Sequence, residues 1–163
     1  RDTCAGKSVS MGGSMTMKQL GFPENFADST DVHWHWIDKG VYCQTPDVYL
    51  SSANGLSETG EIVNIDGTGN RIAAMCYGPG TVYVLIGRNK IVSGGYAQAV
   101  KRIKEVSCPL NARRFQLHNP CAEIGRCNPA ECEKPMCHVI ASFERAPNGK
   151  RTQVILINES LGY

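Results

Sequence analysis

Apolar residues in this chain recur first at the spacing of strands and later at the spacing of a helix. Ser8-Val9-Ser10-Met11 predicts a short strand running into Gly12-Gly13-Ser14 and then a short helix from Met15 to Leu20. Ser14 suits the N-cap, because its hydroxyl can accept from the first free amides, and Pro23 stops the helix. Asp31 to Asp38 alternates polar and aromatic residues, the period-2 pattern of a strand, and Asp47 to Ala53 predicts a second strand after Pro46. Glu61 to Asp66 predicts a third, leading into the glycine turn Gly67-Thr68-Gly69 and a helix from Asn70 to Tyr77. Thr81 to Gly87 is apolar nearly throughout, as expected of a strand buried on both faces in a parallel sheet.

From Tyr96 the period changes. Tyr96, Ala99, Val100, Ile103 and Val106 fall on one helical face, with Lys101, Arg102, Lys104 and Glu105 between them. Pro109 to Leu117 can form another helix, and a Gly- and Pro-broken segment with four cysteines follows, predicted to hold neither helix nor strand of its own. The chain closes with strands at His138 to Arg145 and Arg151 to Asn158, joined by the turn Ala146-Pro147-Asn148-Gly149-Lys150 as a hairpin. Strands alternating with helices imply an α/β fold: an open, mostly parallel sheet with helices on both faces and a C-terminal β-hairpin. Neither a repeat nor a linker divides the chain, so residues 1–163 read as one domain with a cysteine-rich loop at 118–138.

Composition narrows the function classes. The 17 basic and 15 acidic residues are mixed along the sequence for a net charge of +2, which is no nucleic-acid signature. No apolar run approaches the roughly 20 residues of a membrane helix, and Arg1-Asp2-Thr3-Cys4 lacks the regions of a signal peptide. The expected compartment is the cytoplasm, where the eight cysteines read as thiols, ligands or redox groups before disulfides.

Three places carry candidate chemistry. Gly12, Gly13, Ser14 and Thr16 set free amides and hydroxyls at a helix start, which favours a carboxylate or phosphate; a tight turn with an ordinary N-cap is the plain alternative. Two polar, glycine-rich turns flank the strand at 61–66. They offer Asn54 and Glu58 on one side and Asp66, Gly67, Thr68, Gly69, Asn70 and Arg71 on the other. Glu58 could act as base or nucleophile, and Arg71 or Lys90 could hold an anion; hairpin turns and a helix cap are the alternative. Gly67-Thr68-Gly69-Asn70-Arg71 is not a dinucleotide turn, which argues against NAD chemistry.

The third place is the loop with Cys121, Cys127, Cys132 and Cys137, whose thiols suit a metal ion or an iron-sulfur cluster. Their spacings match neither zinc-ribbon knuckles nor the bacterial ferredoxin run, and His118 or His138 could replace one thiol. Reduced thiols packing a surface loop are the alternative. Cys4, Cys43, Cys76 and Cys108 are scattered and expected as small buried residues, and His33 and His35 as exposed strand histidines opposite buried tryptophans.

In order along the chain, Val9 to Thr16, Asp47 to Asn54, Gly60 to Arg71, Gly87 to Val92, Pro109 to Arg113, the cysteine loop and Asn158 to Gly162 resemble the LUD (lactate utilisation) domain family. The resemblance implies a fold like the NagB, ribose-phosphate isomerase and coenzyme A transferase superfamily, in which the turn after the first strand helps bind phosphate or carboxylate groups. It also implies a subunit or partner in the oxidation of L-lactate to pyruvate, working beside iron-sulfur proteins, with an iron-sulfur cluster or zinc on the four cysteines. Two other functions remain open: an enzyme on a phosphorylated or coenzyme A-linked metabolite using Asn54, Glu58 and Arg71, and a regulatory protein with a structural metal. Two departures accompany the resemblance. Family members with the loop carry a cysteine where Ala130 stands, and the family pattern implies further chain before residue 1 and near Gly40.

Overall fold

The computed structural model describes residues 2–26, 28–38 and 45–163, so Cys43 and the chain around Gly40 lie outside the described residues. Contacts gather the chain into two compact units. The first comprises Arg1–Ser52, Asn70–Arg88 and Ala146–Gly162; the second comprises Ala53–Gly69 and Asn89–Arg145 with Tyr163.

The first unit is a five-stranded, wholly parallel sheet. Its strands are β1 (Ser8–Met11), β2 (Asp31–Trp34), β3 (Val48–Ser51), β6 (Thr81–Gly87) and β9 (Arg151–Ile157), in the order β2-β1-β3-β6-β9. Every neighbouring pair is parallel, with Thr81 to Gly87 running in register beside Arg151 to Ile157. The helices of this unit are α1 (Met15–Gln19), α2 (His35–Asp38) and α3 (Asn70–Cys76). Val9, Met11, Met17, Trp34, Val48 and Leu50 build its core. Val82, Val84 and Ile86 are fully buried on one face of β6, whereas Thr81, Tyr83 and Leu85 on the other are half-buried, so this inner strand is not closed off on both faces as its apolar run predicts. At the start of the sheet Ser8 and Asp47 clamp each other. The Ser8 amide and hydroxyl donate to Asp47 Oδ2 at 2.9 and 3.0 Å, and the Asp47 amide donates back to Ser8 Oγ at 2.9 Å.

The strand expected at 31–38 stops at Trp34, and His35 opens the helical turn α2. The two indoles drive the change. Trp34 Nε1 donates to the Gly12 carbonyl at 3.2 Å, and Trp36 lies 5.2 Å from it, ring to ring, in the same core. His33 and His35 therefore do not share a strand face.

The second unit holds a four-stranded sheet in the order β7-β4-β5-β8, from β4 (Gly55–Ser57), β5 (Ile62–Asp66), β7 (Ile91–Val92) and β8 (Val139–Phe143). β5 runs antiparallel to both β4 and β8. Both C-terminal strands are present, and each pairs with an earlier strand: β8 with β5, β9 with β6. The turn between them closes with the Lys150 amide on the Pro147 carbonyl at 3.1 Å.

Against this sheet lies a helical run. α4 (Tyr96–Arg102) passes through a π-type segment, Ile103–Ser107, into α5 (Cys108–Arg114). Pro109 has no amide to give the carbonyl four residues back, and the widened turn precedes that lost bond. Val63, Ala99, Ile103 and Cys108 form the core here.

Candidate functional site

In the first unit the structure brings Gly12, Gly13, Ser14, Asn70 and Arg71 together. Ser14 caps α1, accepting from the Met17 amide at 3.3 Å, and Arg71 Nη2 donates to the Gly13 carbonyl at 3.2 Å. Thr16 is buried, with its hydroxyl on the Leu161 carbonyl at 3.4 Å. The turn needs its glycines for packing. A Cβ on Gly12 would stand 2.8 Å from the Tyr49 hydroxyl, and one on Gly13 would run into the Trp36 indole. Tyr49 and Trp36 are thus turn-shaping residues the sequence pattern did not single out. Cys4 is buried as expected, whereas Cys76 is exposed, at the last position of α3.

Asn54, Glu58, Gly67, Thr68, Gly69 and Lys90 belong to the second unit. Asn54 Oδ1 accepts from the Ile65 amide and its own amide donates to Asn64 Oδ1, both at 3.0 Å, which registers the chain into β4. Lys90 is buried and donates to the Ala53 carbonyl at 3.0 Å. Glu58 sits in the β4–β5 turn and accepts from Ser93 Oγ at 2.8 Å and the Gly94 amide at 3.1 Å. The Ser93 bond first, and the Gly94 amide next, hold its carboxyl below the usual range. A carboxylate so stabilised is a weaker base than an ordinary glutamate. Nearby, Ser57 and Thr59 hydrogen-bond Glu61, whose carboxyl is lowered by the same kind of contact.

The cysteine segment has more local structure than its prolines and glycine suggest. α6 (Pro120–Glu123) forms one helical turn, with Pro120 at a first-turn position that needs no amide, and a 3-10 turn covers Pro129–Glu131. Side chains reaching the backbone hold the rest. Asn119 Nδ2 donates to the Lys134 carbonyl at 2.8 Å, and Arg113 Nε to the Ala122 carbonyl at 2.7 Å. The His138 amide donates to the Asp66 carbonyl at 3.0 Å, and the Met136 carbonyl passes so close to Gly67 that a Cβ there would meet it at 3.2 Å.

Among the thiols, Cys121 is buried beside Ala112 and Ala122, Cys132 and Cys137 are half-buried, and Cys127 is exposed. Cys108, on α5, meets Cys137 with their sulfurs 3.3 Å apart. Spacing within the loop could not reveal that partner, which lies 29 residues upstream of Cys137. The bond from Cys108 holds the Cys137 thiol down at about 6, aided by the charges of Lys104 and His138 against the effect of burial. The same bond, burial and the Cys137 charge push Cys108 well up. Burial raises Cys121, and the charges of Cys137, Cys132 and Cys127 add to the rise, so these thiols stand within electrostatic reach of one another.

In kind, such a donor set suits zinc or an iron-sulfur cluster. In position it does not yet do so: among the described residues, no three or more His, Cys, Asp or Glu side chains are gathered so as to hold a metal ion. His118 pairs instead with Glu123 at 3.2 Å, and His33 with Asp31 at 3.2 Å.

These features define an α/β protein with a parallel sheet, a glycine-serine turn after its first strand, and a thiol-rich segment in a second unit. The chain belongs to the LUD domain family, whose sequence model matches residues 1–157. Among solved structures it is similar to a DUF162 family protein from Deinococcus radiodurans, at 13% identity and a TM-score of 0.44, covering 94% of this chain and 88% of that one. No curated protein matches it. Among the described residues no helix is long and apolar enough to cross a membrane.

Proposed function

We propose that this LUD-domain chain serves lactate utilisation as a subunit or partner in the oxidation of L-lactate to pyruvate, with Cys121, Cys127, Cys132 and Cys137 taking an iron-sulfur cluster or zinc. Family membership supports the lactate link. The observation that carries the metal reading is the nearness of the other three thiols to Cys121, which burial raises first and the charges of Cys137, Cys132 and Cys127 raise further. Clustered thiols repel as thiolates, and a bound cation removes that repulsion. When bound, an iron-sulfur cluster would supply one-electron transfer to a neighbouring redox protein. The chain's own residues would hold the segment: Asn119 and Arg113 fix its start and the His138 amide fixes its end.

Anaerobic purification with metal analysis, acid-labile sulfide assay and a visible spectrum tests the reading. Brown protein containing iron and sulfide is the expected result, with the colour lost in Cys127→Ser and lactate-dependent growth lost alongside. Colourless, metal-free protein from a preparation protected from oxygen throughout would overturn the metal assignment. Normal growth on lactate without the protein would overturn the lactate assignment.

A further inference from the structure

Cys108 is the one thiol of the second unit that lies outside the cysteine segment, and the structure sets it against Cys137 with 3.3 Å between sulfurs. Among the described residues no other pair of cysteines is in such contact. The pair is held from both sides. Cys108 opens α5 and is buried in the core with Val63, Ala99 and Ile103, on the helical run that begins at Tyr96. Cys137 is half-buried and lies just before β8, where the His138 amide on the Asp66 carbonyl pins the backbone and Gly67 admits the Met136 carbonyl. One thiol therefore faces solvent in part, and the second waits behind it.

We propose that Cys108 and Cys137 are a redox-active dithiol that closes to an intramolecular disulfide by exchange with a small disulfide. A disulfide needs its sulfurs about 2.05 Å apart. The sulfurs must approach by little more than an ångström, within reach of side-chain rotation. Cys137, the accessible thiol, gives up its proton and attacks one sulfur of the small disulfide. A sulfur-sulfur bond forms to Cys137, the bond in the small disulfide breaks, and one small thiolate leaves. Cys108 then attacks Cys137 Sγ from the core side. The protein disulfide forms, the mixed disulfide breaks, and a second small thiolate leaves. The two protons lost by the cysteines are taken up by the two leaving thiolates. Two electrons pass from the protein dithiol to the small disulfide, which ends as two thiols. The pair needs no metal, and because Cys137 is also one of the four proposed ligands, a metal held there blocks the exchange; the dithiol acts in the metal-free chain.

The test uses the intact chain, reduced and dialysed against a chelator, then equilibrated in a series of glutathione to glutathione disulfide ratios. Free thiols are blocked with N-ethylmaleimide, and tryptic peptides are read by mass spectrometry. The wild-type chain is expected to lose two blockable thiols together and to yield peptide 105–113 linked to peptide 127–145, with fragmentation placing the bond on Cys108 and Cys137. In Cys108→Ala the exchange should stall after its first step, leaving glutathione on Cys137. In Cys137→Ser, Cys108 should stay free. Retention of both thiols across the series in the wild-type chain would overturn the proposal. So would a bond from Cys137 to Cys121, Cys127 or Cys132. The wild-type measurement alone decides the matter if either variant fails to fold.

Discussion

The guanidinium of Arg102 donates to the carbonyl of Asn54 at 2.7 Å, tying the end of α4 to the entry of β4. The same group reaches the Asn89 carbonyl at 3.0 Å and Ser107 Oγ at 2.8 Å, and burial lowers its affinity for the proton. Arg102→Met removes this donor from the Asn89 carbonyl and leaves the Asn54 carbonyl only the longer bond from Ser107 Oγ at 3.4 Å. An orphaned buried acceptor costs about 1–3 kcal/mol. A loss of that size is expected in urea unfolding, whereas Arg88→Lys, at an exposed position, should change stability by less than about 0.5 kcal/mol. Equal midpoints for wild type and Arg102→Met would show that the fork is not needed.

Gly12 and Tyr49 should behave as one unit in a double-mutant cycle. Gly12→Ala pushes a methyl group to 2.8 Å from the Tyr49 hydroxyl oxygen, inside a side chain that is fully buried. Tyr49→Phe removes that oxygen. Gly12→Ala is therefore expected to cost less in the Tyr49→Phe background than in the wild type, by about 0.5–3 kcal/mol of coupling. Additive costs would mean that the turn relaxes away from the ring without resistance.

Acid should loosen the start of the parallel sheet through Asp47. Its carboxyl is lowered first by the Ser8 amide, then by the Ser8 hydroxyl. A folded value below the unfolded one gives stability that is present above the unfolded value, near pH 3.9, and is lost as pH falls through the folded one. Asp47→Asn should lower stability at pH 7, and the gap from wild type should close as pH drops below about 4. A gap that stays constant down to pH 2 would sink this assignment.

Alkylation should find Cys137 before the other half-buried or buried thiols. Its thiolate is favoured down to about pH 6, so its rate with iodoacetamide is expected to rise through that pH in metal-free protein. Because the Cys108 bond is the largest cause, Cys108→Ala should move the midpoint upward. An unmoved midpoint would assign the effect to Lys104 and His138 instead.

How far the sequence could be read depended on whether a signal was local. Ser8–Met11 and Thr81–Gly87 carry their strand assignments in their own apolar pattern, and the Ser14 cap follows from one residue type beside a helix start. Pairing is a non-local choice. Nothing in Val139–Phe143 or Arg151–Ile157 says that one joins β5 antiparallel and the other β6 in parallel. Alternation from Asp31 to Asp38 read as one strand because period 2 cannot register that a second indole must reach the same core. The candidate residues divide likewise. Gly13 meets Arg71, which the sequence reading sets in a separate candidate place, whereas Asn54 and Glu58, grouped there with Arg71, hold backbone in the other unit. Cys108 looked like a filler residue because a thiol's partner 29 positions away leaves no trace in spacing.

The place of β9 bears on how the chain comes to fold during synthesis. β6 has β3 on one side and β9 on the other, and among the described strands β9 is the last in chain order to leave the ribosome. Until residues 151–157 emerge, the apolar strand β6 has a bare edge while residues 89–145 of the second unit are being made. Such an edge is a template for pairing with another nascent chain. A pause in translation just before Arg151 would therefore lengthen the period in which this protein most needs a chaperone.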